Sequence, residues 1–513
     1  MLLNARLSSR ITPTKFIPSS LKFAKQFRSL SIAQAQVQKR AGDISDAFTS
    51  LSGGKPTPLE PRFAHLKRRL IARKEDALFA SWTRLLKHLR EEVTVVAALG
   101  SSIVPEISYN DIKAGTPTQS FSESYKQRGV CVIRGVISQE EALGYKISIR
   151  EYIRRNPHTK AFPAGDPQVY ELYWSEAQLR ARAHPNLINA QKFLMSYWHA
   201  GSDVPISLEH PVSYADRLRI RQPGDASFAL GPHVDGGSLE RWEESGYGLG
   251  GNGKGVYSSI LGGHWENYDP WDAAVRLGVV SDLYAGVGAC GILRTAQGWL
   301  SMSDVSAGEG HLLVNPMLRA ATAYILLRPF FEAKRSVDQV SAEDYLQPEN
   351  WMLETEATTQ FQGATPGHGQ ELNAVLHPHL ELDKSMVHMP IVNPGDYVAW
   401  HCDTIHAVDK THNGSSDSSV LYIPVCPLTE DNAIFLRRQR GTFLKGEPSP
   451  DFGGGEGESN HEGRPTIEDV PSLMNEDGMR AMGLKEWDSA ATDLSPGQRF
   501  VMDRANKELE FCI

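Results

Sequence analysis

The chain lacks any apolar run of the length a membrane-spanning helix needs. Hydrophobic residues make up 41% and charged residues 22%, the balance of an ordinary globular protein. Basic charge is not in excess. The formal net charge is −8, which argues against nucleic acid as the main partner. Cysteine is scarce: five residues, at 131, 290, 402, 426 and 512, form no Cys-x-x-Cys pair. A dense disulfide framework and a zinc knuckle are thereby excluded, and the pattern suits a reducing compartment. There is no Gly-x-Ser-x-Gly elbow and no Cys–His motif of known context, so nucleophilic hydrolysis has no support. The glycine run Gly246-Tyr-Gly-Leu-Gly-Gly-Asn-Gly-Lys-Gly255 lacks the Lys-Ser/Thr ending of a phosphate loop and follows no clean strand. Nucleotide binding is therefore set aside.

Acidic residues are missing from the first 42 positions, which hold eight Lys or Arg and frequent serines but no long apolar core. That is the composition of a mitochondrial transit peptide, with a basic tail of a cytoplasmic protein as the alternative. Residues 43–110 are expected to hold a linker broken by Gly53, Gly54, Pro56, Pro58 and Pro61, then a helix from Phe63 to about Leu99. A basic face on this helix (Lys67, Arg68, Arg69, Arg73, Lys74, Arg84) reads as solvated. Tyr125 to Val136 reads as a buried strand, and Ser138-Gln-Glu-Glu141 as a capping box opening a helix to about Arg155. A further helix is expected over 187–200. Residues 236–282, rich in Gly, Trp and Tyr, are either a mobile lid or plain surface loop. The stretch 451–513 reads as a helical extension packed on the outside.

What is present centres on Leu230-Gly-Pro-His233-Val-Asp235-Gly-Gly. Side chains two apart share one face of an extended segment, so His233 and Asp235 can grip one ion. With a second His from elsewhere they form two imidazoles and a carboxylate, a set that leaves open positions on Fe(II). The second His lies in Val392-Asn-Pro394-Gly395-Asp396-Tyr-Val-Ala-Trp400-His401-Cys-Asp403-Thr-Ile-His406: a turn, a strand, a loop and a second strand. His401-Cys402-Asp403 repeats the His-x-Asp pattern and competes for the role. Facial sets draw from two strands, and His401, Asp403 and His406 would all come from one hairpin, so His233, Asp235 and His406 are preferred. His401 is then expected beside the site or on its substrate side.

These two stretches, with Arg217-Leu-Arg-Ile-Arg221-Gln-Pro-Gly, Gln297-Gly-Trp299-Leu-Ser-Met-Ser and Ser418-Ser-Val-Leu-Tyr-Ile-Pro424, run from Arg217 to Pro424, within about residues 120–445. In that order they resemble the DUF1479 family of Fe(II)/2-oxoglutarate-dependent oxygenases, more distantly the phytanoyl-CoA-dioxygenase-like enzymes. The resemblance implies an α+β chain with a double-stranded β-helix (jelly-roll, cupin-like) core over 111–450 and flanking helices. It implies Fe(II) and 2-oxoglutarate as cofactors, with O2 and a small molecule as substrates. Gln297 and Trp299 match positions where relatives place a polar group and an aromatic beside the co-substrate, though Trp299 suits a barrel filler equally.

One departure matters. Phytanoyl-type relatives carry an Arg for the distal carboxylate on the strand after the second His, and Ser418–Pro424 has no Arg or Lys. The candidates for that contact are Arg219, Arg221 and Arg294, with Ser419 as a polar neighbour and Arg437, Arg438 and Arg440 behind them. Two other readings stay open: a cupin-like metal enzyme that does not use 2-oxoglutarate, and a non-catalytic barrel that binds a ligand.

Overall fold

The computed structural model describes residues 39, 42–52, 58–227, 229–287 and 289–511. Most of the basic stretch 1–42, and with it the transit-peptide expectation, lies outside the described residues. The expected helix from Phe63 is two helices, Arg62–Ile71 and Glu75–Leu99. Between them Arg73 sits in the left-handed region at φ 66°, which no helix continues through. The longer helix buries Leu78, Trp82, Leu85, Leu89, Val93 and Val96, one face at three- to four-residue spacing. Its Trp82 stacks on Phe331 at 4.4 Å and on Tyr324 at 5.4 Å, which joins it to the helix Leu318–Leu327, buried at every residue but Arg319.

The architecture is mixed α+β with two large, mainly antiparallel sheets. The eight-stranded sheet runs Glu106–Ser108, Val130–Arg134, Tyr397–His401, Ala296–Ser301, Ser418–Tyr422, Leu218–Arg221, Val169–Tyr170, Ala161–Phe162. The five-stranded sheet runs Gln370–Glu371, His233–Val234, His406–Val408, Leu312–Val314, Val387–His388. Between residues 289 and 303 there is one strand, Ala296–Ser301. Strands of the larger sheet are buried on both faces: Leu218, Ile220, Leu300, Ala399 and Leu421 join one core cluster. The alternate residues Arg219, Trp299, Trp400 and Val420 face a cavity whose other wall is the smaller sheet. Gly395 must be glycine, since φ is 91° and a Cβ there would sit 2.3 Å from the Ile137 carbonyl.

Ser138 caps the helix Gln139–Arg155 by accepting from the Glu141 N–H, but only half of the capping box forms. The Glu141 carboxylate accepts from the Tyr145 hydroxyl instead, at 2.6 Å. Three expectations change more substantially. The segment 43–52 does not behave as linker: Ile44–Ala47 forms a turn, and Ile44, Ala47 and Phe48 line the cavity. Residues 236–282 form a series of short turns anchored to the core. The C-terminal stretch is integral to the fold, with Val501, Met502 and Ala505 fully or nearly buried in a third cluster.

Candidate metal centre

His233 and His406 stand opposite each other on adjacent antiparallel strands, with ring centroids 4.1 Å apart. Asp235 closes the set, one carboxylate oxygen 3.7 Å from His233 Nε2 and the other 3.9 Å from His406 Nε2. One ligand atom from each lies within 4.8 Å of the other two. Beyond Asp235 the chain turns away through Gly236 and Gly237, both at positive φ (83° and 78°). A Cβ on Gly237 would meet the Ser281 carbonyl at 2.4 Å.

The tautomers are set by the backbone. His233 Nδ1 lies 2.7 Å from the Gly231 carbonyl, and His406 Nδ1 lies 3.1 Å from the Thr404 carbonyl. A carbonyl only accepts, so each Nδ1 carries the proton and each Nε2 presents its lone pair to the centre. Burial, and then the neighbouring His233, push His406 down to about 3, so it is neutral and able to ligate. Burial works against the Asp235 carboxylate, but His233, His406 and Arg294 outweigh it and hold it below the usual carboxylate range. Two neutral imidazoles and one carboxylate on one side of a cavity fit a divalent first-row metal.

The competing triplet His401, Cys402 and Asp403 is equally close in space. Its atoms are committed elsewhere. His401 Nε2 donates to the Pro270 carbonyl at 2.9 Å, its Nδ1 accepts from the Asp403 N–H at 3.1 Å, and its ring stacks on Trp198 at 4.8 Å. Asp403 accepts from the Tyr257 and Tyr268 hydroxyls at 3.0 and 2.6 Å and from Arg276 at 2.6 Å. His401 does not line the cavity, so the expectation that it flanks the site is replaced by a packing role.

The family is settled by a profile described as Gig2-like, which matches residues 57–484. The chain belongs to the Gig2-like (DUF1479) family. Among Gig2-like relatives, the YbiU protein of Escherichia coli (strain K12) is 34% identical over 406 residues, 77% of this chain and 88% of that one. The crystal structure of GlcNAc Inducible Gene 2 from Candida albicans is 34% identical, with TM-score 0.78 over 89% of this chain and 96% of that one. That of the hypothetical protein JW0805 from Escherichia coli is 32% identical, with TM-score 0.69 over 84% and 99%.

In this Gig2-like chain the remaining candidates separate. Arg219, Arg294, Gln297 and Trp299 line the cavity. Arg221 does not: it pairs with Asp225 at 2.7 Å and donates to the carbonyls of Asp409 and Lys410, a buried structural ion pair. Ser419 does not either. The two-residue period turns Ser418, Val420 and Tyr422 inward and Ser419 outward, where its hydroxyl donates to Asp417. Arg437 is half-exposed beside Glu508 and Glu510, and Arg440 donates to the Gly483 carbonyl, both outside the cavity lining.

Two contributors carried no signal in the sequence. Trp400 stands opposite Gln297 in register, and both Gln297 Nε2 and Trp400 Nε1 are buried donors with no partner among the described residues. Phe48 meets the His233 ring edge-on at 4.7 Å, from a segment nearly 200 residues earlier that has no periodicity to betray its destination. A second cavity adjoins the first, and Asp235, Gly236, Asp282, Cys290 and Arg294 line both.

Proposed function

We propose that this chain is a non-haem Fe(II)- and 2-oxoglutarate-dependent oxygenase that hydroxylates a small molecule, and that its two sheets are the walls of a double-stranded β-helix. The observation that carries this reading is the convergence of two backbone-oriented Nε2 atoms and the Asp235 carboxylate inside a cavity lined by both sheets. His233, Asp235 and His406 would hold the iron. When bound, the iron supplies the activation of O2 that side chains do not provide. The net reaction consumes 2-oxoglutarate, O2 and a C–H bond, and yields succinate, CO2 and the hydroxylated product, one oxygen atom passing to each of succinate and product.

The side chains would bind, orient and keep the cavity dry. Arg219 stands opposite Val420 in register, so its strand supplies from the next position the cation missing on Ser418–Tyr422. Its contacts include Gln168 and Tyr422. Arg219 would anchor the distal carboxylate of 2-oxoglutarate as a charged fork. Gln297 Nε2 and Trp400 Nε1 offer the unpartnered donors nearby. Phe48 and the turn before it cover the His233 side and exclude water.

The direct test is uncoupled turnover: purified protein with Fe(II), ascorbate and 2-oxoglutarate, read as succinate formed. Wild type should form succinate, and His233→Ala and Asp235→Ala should not. A metal enzyme indifferent to 2-oxoglutarate, or a ligand-binding barrel, would form none.

A further inference from the structure

The second cavity is built around the guanidinium of Arg294, which has an ion partner but no hydrogen-bond partner among the described residues. Arg294 keeps only 13% of its side chain open, yet among the described residues it makes no hydrogen bond. Its ion partner is Asp235 Oδ2 at 3.7 Å, and its guanidinium lies 6.0 Å from the centre of the Tyr214 ring. A buried cation without a hydrogen-bonded counter-ion is costly, so the site is incomplete as it stands.

The other charged groups lining this cavity are provided for. Lys39 pairs with Asp282 at 2.8 Å and Asp451 at 3.3 Å, and Asp451 also accepts from the Tyr214 hydroxyl and the Gly291 N–H. Arg276 pairs with Asp403. Asp431 lies in the first turn of the helix Glu430–Lys445, where the helix dipole favours an anion, and Arg438 interacts with Asp451.

The following step rests on the oxygenase reading. A divalent ion at Asp235 is balanced by that carboxylate and the metal-bound carboxylate of 2-oxoglutarate, and Arg219 balances the distal one. Asp235 is then committed to the metal, and Arg294 remains as an uncompensated cation at the junction of the two cavities. We propose that the second cavity binds the primary substrate, that this substrate carries a carboxylate, and that Arg294 holds it as a bidentate fork beside the metal.

The test uses full-length protein loaded with redox-inert Mn(II) and saturated with 2-oxoglutarate, with acetate as the probe. Binding near the metal is read as paramagnetic relaxation of the acetate methyl protons, and the 2-oxoglutarate Kd is measured on the same samples. Wild type should relax acetate well above its free-solution rate, and Arg294→Gln should lose at least nine-tenths of that enhancement. The 2-oxoglutarate Kd of Arg294→Gln should change less than about threefold. If Arg294→Gln does not fold, Arg294→Lys serves, with an expected loss of at least threefold from replacing the fork by a point charge.

No enhancement in wild type that binds 2-oxoglutarate would overturn the proposal. So would enhancement retained in Arg294→Gln, which places acetate on the metal itself. A tenfold or greater weakening of 2-oxoglutarate by Arg294→Gln would give Arg294 to the co-substrate and also overturn it. Wild-type protein that binds Mn(II) but no 2-oxoglutarate would overturn this proposal together with the oxygenase reading, and differs from the other outcomes in the Kd measurement.

Discussion

A histidine ligates a metal only through a nitrogen that carries no proton and accepts no other hydrogen bond. His233 and His406 meet both conditions because a carbonyl two residues earlier in each case takes the Nδ1 proton. His401, five residues before His406, fails both, with one nitrogen donating to Pro270 and the other accepting from Asp403. His406→Ala should therefore weaken Mn(II) binding by more than about 100-fold, since outer-shell partners alone are worth ~10–100-fold. His401→Ala should leave that affinity within a few-fold. It should instead cost about 3 kcal/mol of stability, because a fully buried ring stacked on Trp198 is lost. Calorimetric titration and urea denaturation read the two effects separately. In the sequence His233-x-Asp235 and His401-x-Asp403 look alike, and strand count favours the first. The decisive partner, the Pro270 carbonyl, is 131 residues away and invisible to local pattern. The two-residue alternation that makes Ser418–Tyr422 a strand also shows that Ser419 and Val420 face opposite ways, so the outward turn of Ser419 was legible in principle.

Two elements leave little trace in the sequence. Residues 236–282 contain no helical or strand period, so glycine content suggested a lid or a surface loop. What holds them is long-range and polar: Asp403, on the loop before His406, ties Tyr257, Tyr268 and Arg276 together in the core. This is an anchored wall of the site. Asp403→Asn should cost about 3–5 kcal/mol, because Arg276 is left buried with its charge uncompensated. Adding Arg276→Met should recover part of that loss. Metal affinity should survive in the folded fraction of both variants, measured by urea midpoint and Mn(II) titration. If Asp403→Asn abolishes metal binding while the protein stays folded, the ion belongs to the rival triplet. Segment 43–52 was hidden in the same way, since a turn that contributes only Ile44, Ala47 and Phe48 to a distant cavity has no repeating pattern.

At the scale of the molecule, the order of blocks from Arg217 to Pro424 was enough to expect α+β architecture with the candidate ligands drawn from two strands. It could not show how burial sets titration. His377 and His379 are pushed down to about 3 and His401 to about 4, each first by burial. Unfolded, each titrates near 6.5. Their stability contribution is complete above that value and is lost as pH falls toward the folded values, since the unfolded chain takes up protons that the native state refuses. Metal-free protein should lose about 1.4 kcal/mol per pH unit for each of the three between roughly pH 6 and 4. Urea midpoints that stay level over that range would contradict the burial of neutral imidazoles. The proposed oxygenase chemistry requires one cavity to hold iron and 2-oxoglutarate together, which is tested most directly without oxygen. Under anaerobic conditions Fe(II) and 2-oxoglutarate added to wild type should give the visible charge-transfer band of a chelated 2-oxo acid. The band should vanish in His233→Ala and His406→Ala, and in Arg219→Gln it should require at least about tenfold more 2-oxoglutarate for the lost charged contact. Wild-type protein that binds Fe(II) and shows no such band at saturating 2-oxoglutarate would contradict it.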